Sequence, residues 1–465
     1  MASTASPYVA NSTVSATAGL DPGWWRLPLL AVVSGVAMLT IATSLLLSGV
    51  EPFATWYYNF AWYPVLLAGD GLVALTGGAG RGKRGEFLLL GKWSFLATVL
   101  AWSSVVWLFY ELFNFRLQNW YYVFLPPDRL SRWSGTMLAF ATVLPAVFVA
   151  EAILNGWHVA EKVRWPQFRV TKAVIMGMRV SGVIMLALVM IWPKYFFPLV
   201  WGATMLLVEP ENYKRSHAHS LLADLERGEP GRLLRLLIGG ALIGFTWEML
   251  NINARGKWIY TVPGVEELKI FEMPVPGFFG FPPFAVECFI LWQTLVLAGV
   301  AIPRWGAARA ASTRKRVMAA IGAVVFSVGV LWAMEYLTVD SYTPRLADIP
   351  NVPGEKLASA GFDVFSLAKS RASDVARVTN DAAVATSWIE YARLASLRGL
   401  GTEYLTLLGQ LGIHSIDDLA AQQPADLTTR LEELTGHDLV DARVRVWVRG
   451  ARRMQRTATG QLSRN

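Results

Sequence analysis

Two stretches of this 465-residue chain place the same chemically useful groups at the same spacing. Glu111 and Asn114 are followed by Trp120 and Tyr122; Glu248 and Asn251 are followed by Trp258 and Tyr260. The step from Glu to Asn is close to one helical turn, so carboxyl and amide face the same way. Each pair ends a long apolar segment, and a bilayer tolerates such groups only where something compensates them. Two more carboxyls, Glu151 and Glu287, lie in the apolar segments that follow. A carboxyl in apolar surroundings tends to keep its proton, and a protonated one beside an amide could act as a general acid. In the chemical reading Glu248 is the acid, with Glu287 and Glu111 as its partners. Asn114, Asn251, Trp120, Tyr122, Trp258, Tyr260 and Glu151 then line the substrate, the rings stabilising cationic character through their faces. In the structural reading the same groups hydrogen-bond across a helix bundle and fix its packing.

The elements that must carry these residues follow from composition. Hydrophobic residues make up 54% of the chain and charged residues only 16%, against about 25% in a soluble protein. Charge is scarce before residue 340 and dense after it, which predicts a membrane domain and a polar C-terminal domain. A span of about 30 Å of hydrocarbon takes roughly 20 apolar residues. Nine runs are expected, at 27–49, 54–76, 91–112, 135–156, 172–192, 195–209, 233–252, 279–303 and 316–338. The fold class is therefore an all-α polytopic helix bundle with a small helical domain behind it.

The motif recurs, and neighbouring features recur at nearly the same separation: Phe60-Ala-Trp-Tyr-Pro64 parallels Tyr195-Phe-Phe-Pro198, and Glu151 parallels Glu287. Two parallel four-helix repeats are expected, at 27–156 and 172–303, with an extra helix at 316–338. Asp70, in the second run, matches Thr204 in this alignment and is not duplicated. Lys and Arg concentrate in loops after even-numbered runs, which puts the N-terminus in the cytoplasm of a bacterial inner-membrane protein and, with nine spans, the C-terminal domain outside. Residues 1–26 and 457–465 read as flexible tails and 341–354 as a linker. Before the eighth run, Pro274, Pro276, Pro282 and Pro283 argue against regular helix and suggest a re-entrant plug or an aromatic belt.

The single cysteine, Cys288, excludes an intrachain disulfide and a cysteine metal site. His217 and His219 stand beside Lys214 and Arg215, which discourages a metal. No metal and no cofactor are expected. Membrane lipids are the expected surroundings.

In the C-terminal region, Leu397-Arg-Gly-Leu-Gly401 reads as a glycine hairpin, and Gly412-Ile-His-Ser415 reads as a second turn with Ser415 as N-cap. Residues 390–455 resemble the helix-hairpin-helix class, in particular bacterial domains of that kind with uncharacterised function. Leu357-Ala-Ser-Ala-Gly-Phe-Asp-Val-Phe-Ser-Leu367 parallels Leu408–Leu419, so a tandem pair is expected over 355–456. The resemblance implies a partner surface at Arg398, Gly399, Gly401, Arg445 and Arg449. A protein partner is the favoured reading and nucleic acid a less favoured one, because acidic residues nearly balance the basic ones.

The membrane part resembles the membrane-embedded lycopene cyclases and carotenoid hydratases at Glu248, Trp258, Tyr260, Pro274 and Glu287. That resemblance implies protonation of a polyene by carboxyl groups. Val286 and Cys288 flank Glu287, where those cyclases carry paired acids. The expected function is binding or conversion of an apolar lipid or isoprenoid at an outward-facing Glu/Asn site. A membrane-anchored scaffold recruiting a partner through its C-terminal domain is the alternative.

Overall fold

The computed structural model describes residues 23–79, 83–262, 268–304, 311–350, 352–439 and 441–458. The expected tails fall almost wholly outside the described residues, as do Arg81 and Arg309 of the basic loops. The chain forms two compact units. One takes residues 1–119, 133–254 and 262–336; the other takes 120–132, 255–261 and 337–465.

The first unit is a helix bundle. Its helices are α1 (Arg26–Leu47), α2 (Tyr57–Thr76), α3 (Trp93–Leu117), α4 (Arg129–Phe140), α5 (Val143–Gly156), α6 (Lys172–Ile191), α7 (Pro193–Phe196), α8 (Val200–Arg215), α9 (Leu221–Glu226), α10 (Gly231–Asn251), α11 (Phe281–Leu297) and α12 (Thr313–Leu337). Among the described residues, seven spans are long and apolar enough to cross a membrane. α2 and α8 are not among them: α2 holds Asp70, and α8 is a 16-residue helix with Glu209 and Glu211. The outer faces of α1, α6 and α12 are apolar, with Leu30, Val33, Ile41, Val183, Ile184, Val324 and Val325 exposed. Faces of this kind suit hydrocarbon rather than water. This is a polytopic membrane helix bundle.

Small residues let the helices approach. A Cβ on Gly35 of α1 would lie 2.6 Å from the Pro64 carbonyl of α2, and one on Gly240 of α10 would lie 2.6 Å from the Phe281 carbonyl of α11. Close backbone approach of this sort is the usual basis of helix association in lipid. The prolines before α11 do not exclude helix, as the sequence suggested. Val275–Gly280 is a 3-10 helix and α11 starts at Phe281. Pro282 and Pro283 then occupy the first turn, where a missing N–H costs nothing.

The fourth expected span breaks at residues 141–142, between α4 and α5. Pro145 supplies no N–H for the carbonyl one turn back. Buried Ser103 of α3 repairs the break: its hydroxyl donates to the Phe140 carbonyl at 2.7 Å and accepts from Leu144 N–H at 3.0 Å. Ser103→Ala should strand both backbone groups and destabilise the bundle by about 2–6 kcal/mol, at about 1–3 per group. A thermal melt in detergent measures this; an unchanged midpoint would contradict the repair.

In the second unit, β1 (Trp120–Val123) pairs antiparallel with β2 (Lys257–Tyr260). The segment after α12 pairs parallel with β1, Val339 facing Tyr122 and Tyr342 facing Leu125. Leu357, Leu367, Leu394, Leu400, Leu408, Leu419, Leu431 and Trp447 centre its helical core.

Two turns there are built alike. Gly361 (φ +85°) precedes Asp363, which caps Val364–Leu367 through a reciprocal box with Ser366. Gly412 (φ +76°) precedes Ser415, which caps Ile416–Ala420 through a reciprocal box with Asp418. In each, the residue after the glycine donates its N–H to a leucine carbonyl at 2.9 Å, Phe362 to Leu357 and Ile413 to Leu408.

Candidate functional site

The bundle buries Glu111, Asn114, Glu248, Asn251 and Glu287 completely, each at 0% exposure. Helix spacing explains the first pair: on α3, Glu111 accepts the Trp107 indole N–H at 3.0 Å from one turn earlier, and the Asn114 amide at 3.4 Å from one turn later. Asn114 also closes the helix. Its Oδ1 accepts Asn119 N–H at 3.0 Å, past Gln118 in the left-handed region. Glu287 on α11 ties three helices together. It accepts the Tyr110 hydroxyl of α3 at 2.5 Å and Met205 N–H of α8 at 3.0 Å. That N–H lies one turn beyond Trp201, where α8 leaves helical geometry.

Around these carboxyls runs a chain of rings that the sequence reading passed over. Tyr58 stacks on Trp62 at 5.9 Å, and Trp62 meets Trp247 at 5.9 Å. Trp247 meets Phe284 at 6.1 Å. Phe284 is the hub, touching Trp107 at 5.6 Å, Tyr110 at 5.3 Å and Trp201 at 5.4 Å. Glu248, next to Trp247, is within electrostatic reach of the Tyr58 hydroxyl. The sequence signal for these rings was slight: Trp62 recurs as Trp201, at close to the separation of the Glu/Asn motifs.

The other sequence candidates have partners of their own. Glu151 is bound to Arg235 of α10 at 2.7 Å and remains partly exposed. Trp120, Tyr122, Trp258 and Tyr260 belong to the β ladder of the second unit, where Trp120 faces Tyr260 and Tyr122 faces Trp258. Asp70 is fully occupied: its carboxyl accepts the N–H groups of Leu88, Leu89 and Leu90 at 2.6, 3.0 and 2.8 Å. Glu209 of α8 does the same work, accepting Leu222 N–H at 2.8 Å and the Ser220 hydroxyl at 2.6 Å. An arginine completes each arrangement, Arg304 donating to the Phe87 carbonyl and Arg232 to the Ser220 carbonyl. Asp70 and Glu209 thus each anchor a loop to a helix. Among the described residues no group of three or more His, Cys, Asp or Glu side chains is placed to hold a metal.

In the C-terminal unit Gly399 and Gly401 both take positive φ, +77° and +58°. Both are buried against the chain's own segment, Gly399 beside Asp340 and Gly401 beside Ser341. Arg398 and Arg445 are half-buried and Arg449 is exposed. Part of the basic run is structural. Arg452 donates to the Ala420 and Gln422 carbonyls at 2.9 and 2.8 Å, and Arg443 pairs with Asp340 at 2.8 Å.

Residues 349–453 match the family model described as "Domain of unknown function (DUF4332)", so the C-terminal region is a DUF4332 domain. No curated protein and no solved structure matches the chain.

Proposed function

We propose that the bundle binds, and converts, an apolar lipid or isoprenoid at the carboxyl centre formed by Glu248 and Glu111. The observation that carries this is the complete burial of both carboxyls beside a continuous run of aromatic rings within a helix bundle suited to a membrane. Ionisable groups at such a place are expensive and mark functional sites by default. Rings of this kind offer an apolar wall to a chain and a negative face to developing positive charge. Glu248 is the acid of the proposal and Glu111 its partner. Glu287, with a donor on each oxygen, is a positioning residue.

The bundle reads as two copies of a four-helix unit with one orientation. Trp62 on Trp247 is mirrored by Trp201 on Tyr110 at 5.4 Å, and Asp70 by Glu209. The two Trp-x-Tyr strands pair antiparallel so that each Trp faces the other copy's Tyr, as a two-fold between copies requires. In the same reading the N-terminus is cytoplasmic in a bacterial inner membrane. The DUF4332 domain is a tandem of helix–glycine–helix units, supported by its two matching capped turns.

The test is lipid and isoprenoid mass spectrometry on three strains: gene deleted, complemented with wild type, and complemented with Glu248→Gln. A compound that changes on deletion should be restored by wild type alone. Equal lipid profiles in all three, with both proteins present in membranes, would turn the account toward a scaffold acting through the DUF4332 domain.

A further inference from the structure

We propose that Asp340 is a proton-sensitive latch that holds segment 338–343 between β1 and the glycine hairpin of the DUF4332 domain, and that its release uncovers the edge of β1. The segment is a strand in all but length. Tyr122 N–H donates to the Thr338 carbonyl and Asp340 N–H to the Tyr122 carbonyl, both at 2.8 Å. Thr343 N–H donates to the Leu125 carbonyl at 2.8 Å, and its hydroxyl to the Phe124 carbonyl at 2.7 Å. Removing the segment would leave a row of unpaired β1 backbone groups, a template for another strand.

The hairpin is shaped around this segment. A Cβ on Gly399 would lie 2.6 Å from Asp340 Oδ2, and one on Gly401 would lie 2.9 Å from the Ser341 side chain. Only glycine allows both the left-handed backbone and so close an approach. Asp340 is thus enclosed, its side chain at 0% exposure, with Oδ1 2.8 Å from Arg443 Nη1 of the C-terminal helix. The Arg443 guanidinium is also held over the Tyr121 ring of β1 at 5.1 Å.

The charges facing Asp340 do not balance. Arg443 is the cation. Glu403 is a second carboxyl, its Oε1 accepting Tyr342 N–H at 3.1 Å, and the Tyr404 hydroxyl and the Trp447 indole complete the surroundings. Burial pushes Asp340 up to about 6 despite Arg443, with Glu403 adding to the rise. Burial raises Glu403 as well. A folded-state value above the ordinary 3.8 means that the docked segment holds its proton more tightly than the released one. Docking is therefore strongest below about 4, weakens as pH rises, and reaches its floor above about 6. A shift of about two units is on the order of 100-fold in the docking equilibrium.

The experiment is hydrogen exchange on the full-length protein in nanodiscs at pH 5.0 and 7.5, corrected for intrinsic exchange. In wild type, protection of 338–343 and of β1 should fall about tenfold at the higher pH, the part of the full shift that lies between pH 5.0 and 7.5. Asp340→Asn copies the protonated acid and should stay protected at both. In Arg443→Gln the loss should extend to higher pH, since the counter-charge is gone. The latch is overturned if wild type is equally protected at both pH values, or if Asp340→Asn keeps the full pH dependence. Should Asp340→Asn lose protection throughout the leucine core, the wild-type and Arg443→Gln profiles decide.

Discussion

Glu287→Leu should leave little folded bundle in the membrane. The substitution removes the acceptor of the Tyr110 hydroxyl and of Met205 N–H, both inside the bundle. Each stranded donor costs about 1–3 kcal/mol, so the two together cost about 2–6 kcal/mol. Such a loss is a large share of a domain's stability. Glu287→Gln keeps one acceptor and should cost about 1–2 kcal/mol. Membrane abundance and the melting midpoint in detergent separate the two. The contrast with Glu248 is the informative part. If Glu287 positions and Glu248 reacts, Glu287→Leu lowers the amount of protein and Glu248→Gln lowers only its output. A Glu287→Leu protein as stable as wild type would remove the positioning role.

Gly399→Ala should be a strongly damaging single-methyl change in the C-terminal unit. At φ +77° a side chain costs about 1–2 kcal/mol in backbone strain. The new Cβ must also displace the Asp340 carboxylate, adding about 1–3 kcal/mol of overpacking. Gly412→Ala is the control. Its φ is +76°, yet nothing lies within 4 Å of a Cβ there, so it should cost only the backbone part. Limited proteolysis after residue 343 and thermal melts measure the difference. Equal effects at the two glycines would mean that the Asp340 contact contributes nothing.

Much of the bundle was legible because apolar runs of span length have few alternatives in water or lipid. The expected runs are largely helical, the fourth and sixth in broken form, and among the described residues seven spans have the length and apolarity to cross. The buried Glu/Asn pairs were legible for a related reason: a carboxyl inside an apolar run declares its own cost. What could not be read was long-range. Nothing local says that Trp120 faces Tyr260 or that Trp258 faces Tyr122, since pairing between strands so distant in the chain leaves no mark in either one. Those four rings pair with one another in the β ladder of the second unit. That Asp70 and Glu209 do the same work was hidden because their donors lie beyond their own helices. The loops that supply the donors also differ in length, with donors 18 to 20 residues on in one case and 11 to 13 in the other. Asp340 carries no motif at all. Its role exists only because the chain returns Gly399 and Arg443 to it.

Native mass spectrometry of the protein released from membranes tests the central claim most directly. Wild type should carry an apolar adduct of one reproducible mass, and Glu248→Gln should lose it while a lipid-facing control such as Val183→Ala keeps it. An identical set of bound lipids on wild type and Glu248→Gln, or none on either, would contradict a ligand site at the carboxyl centre.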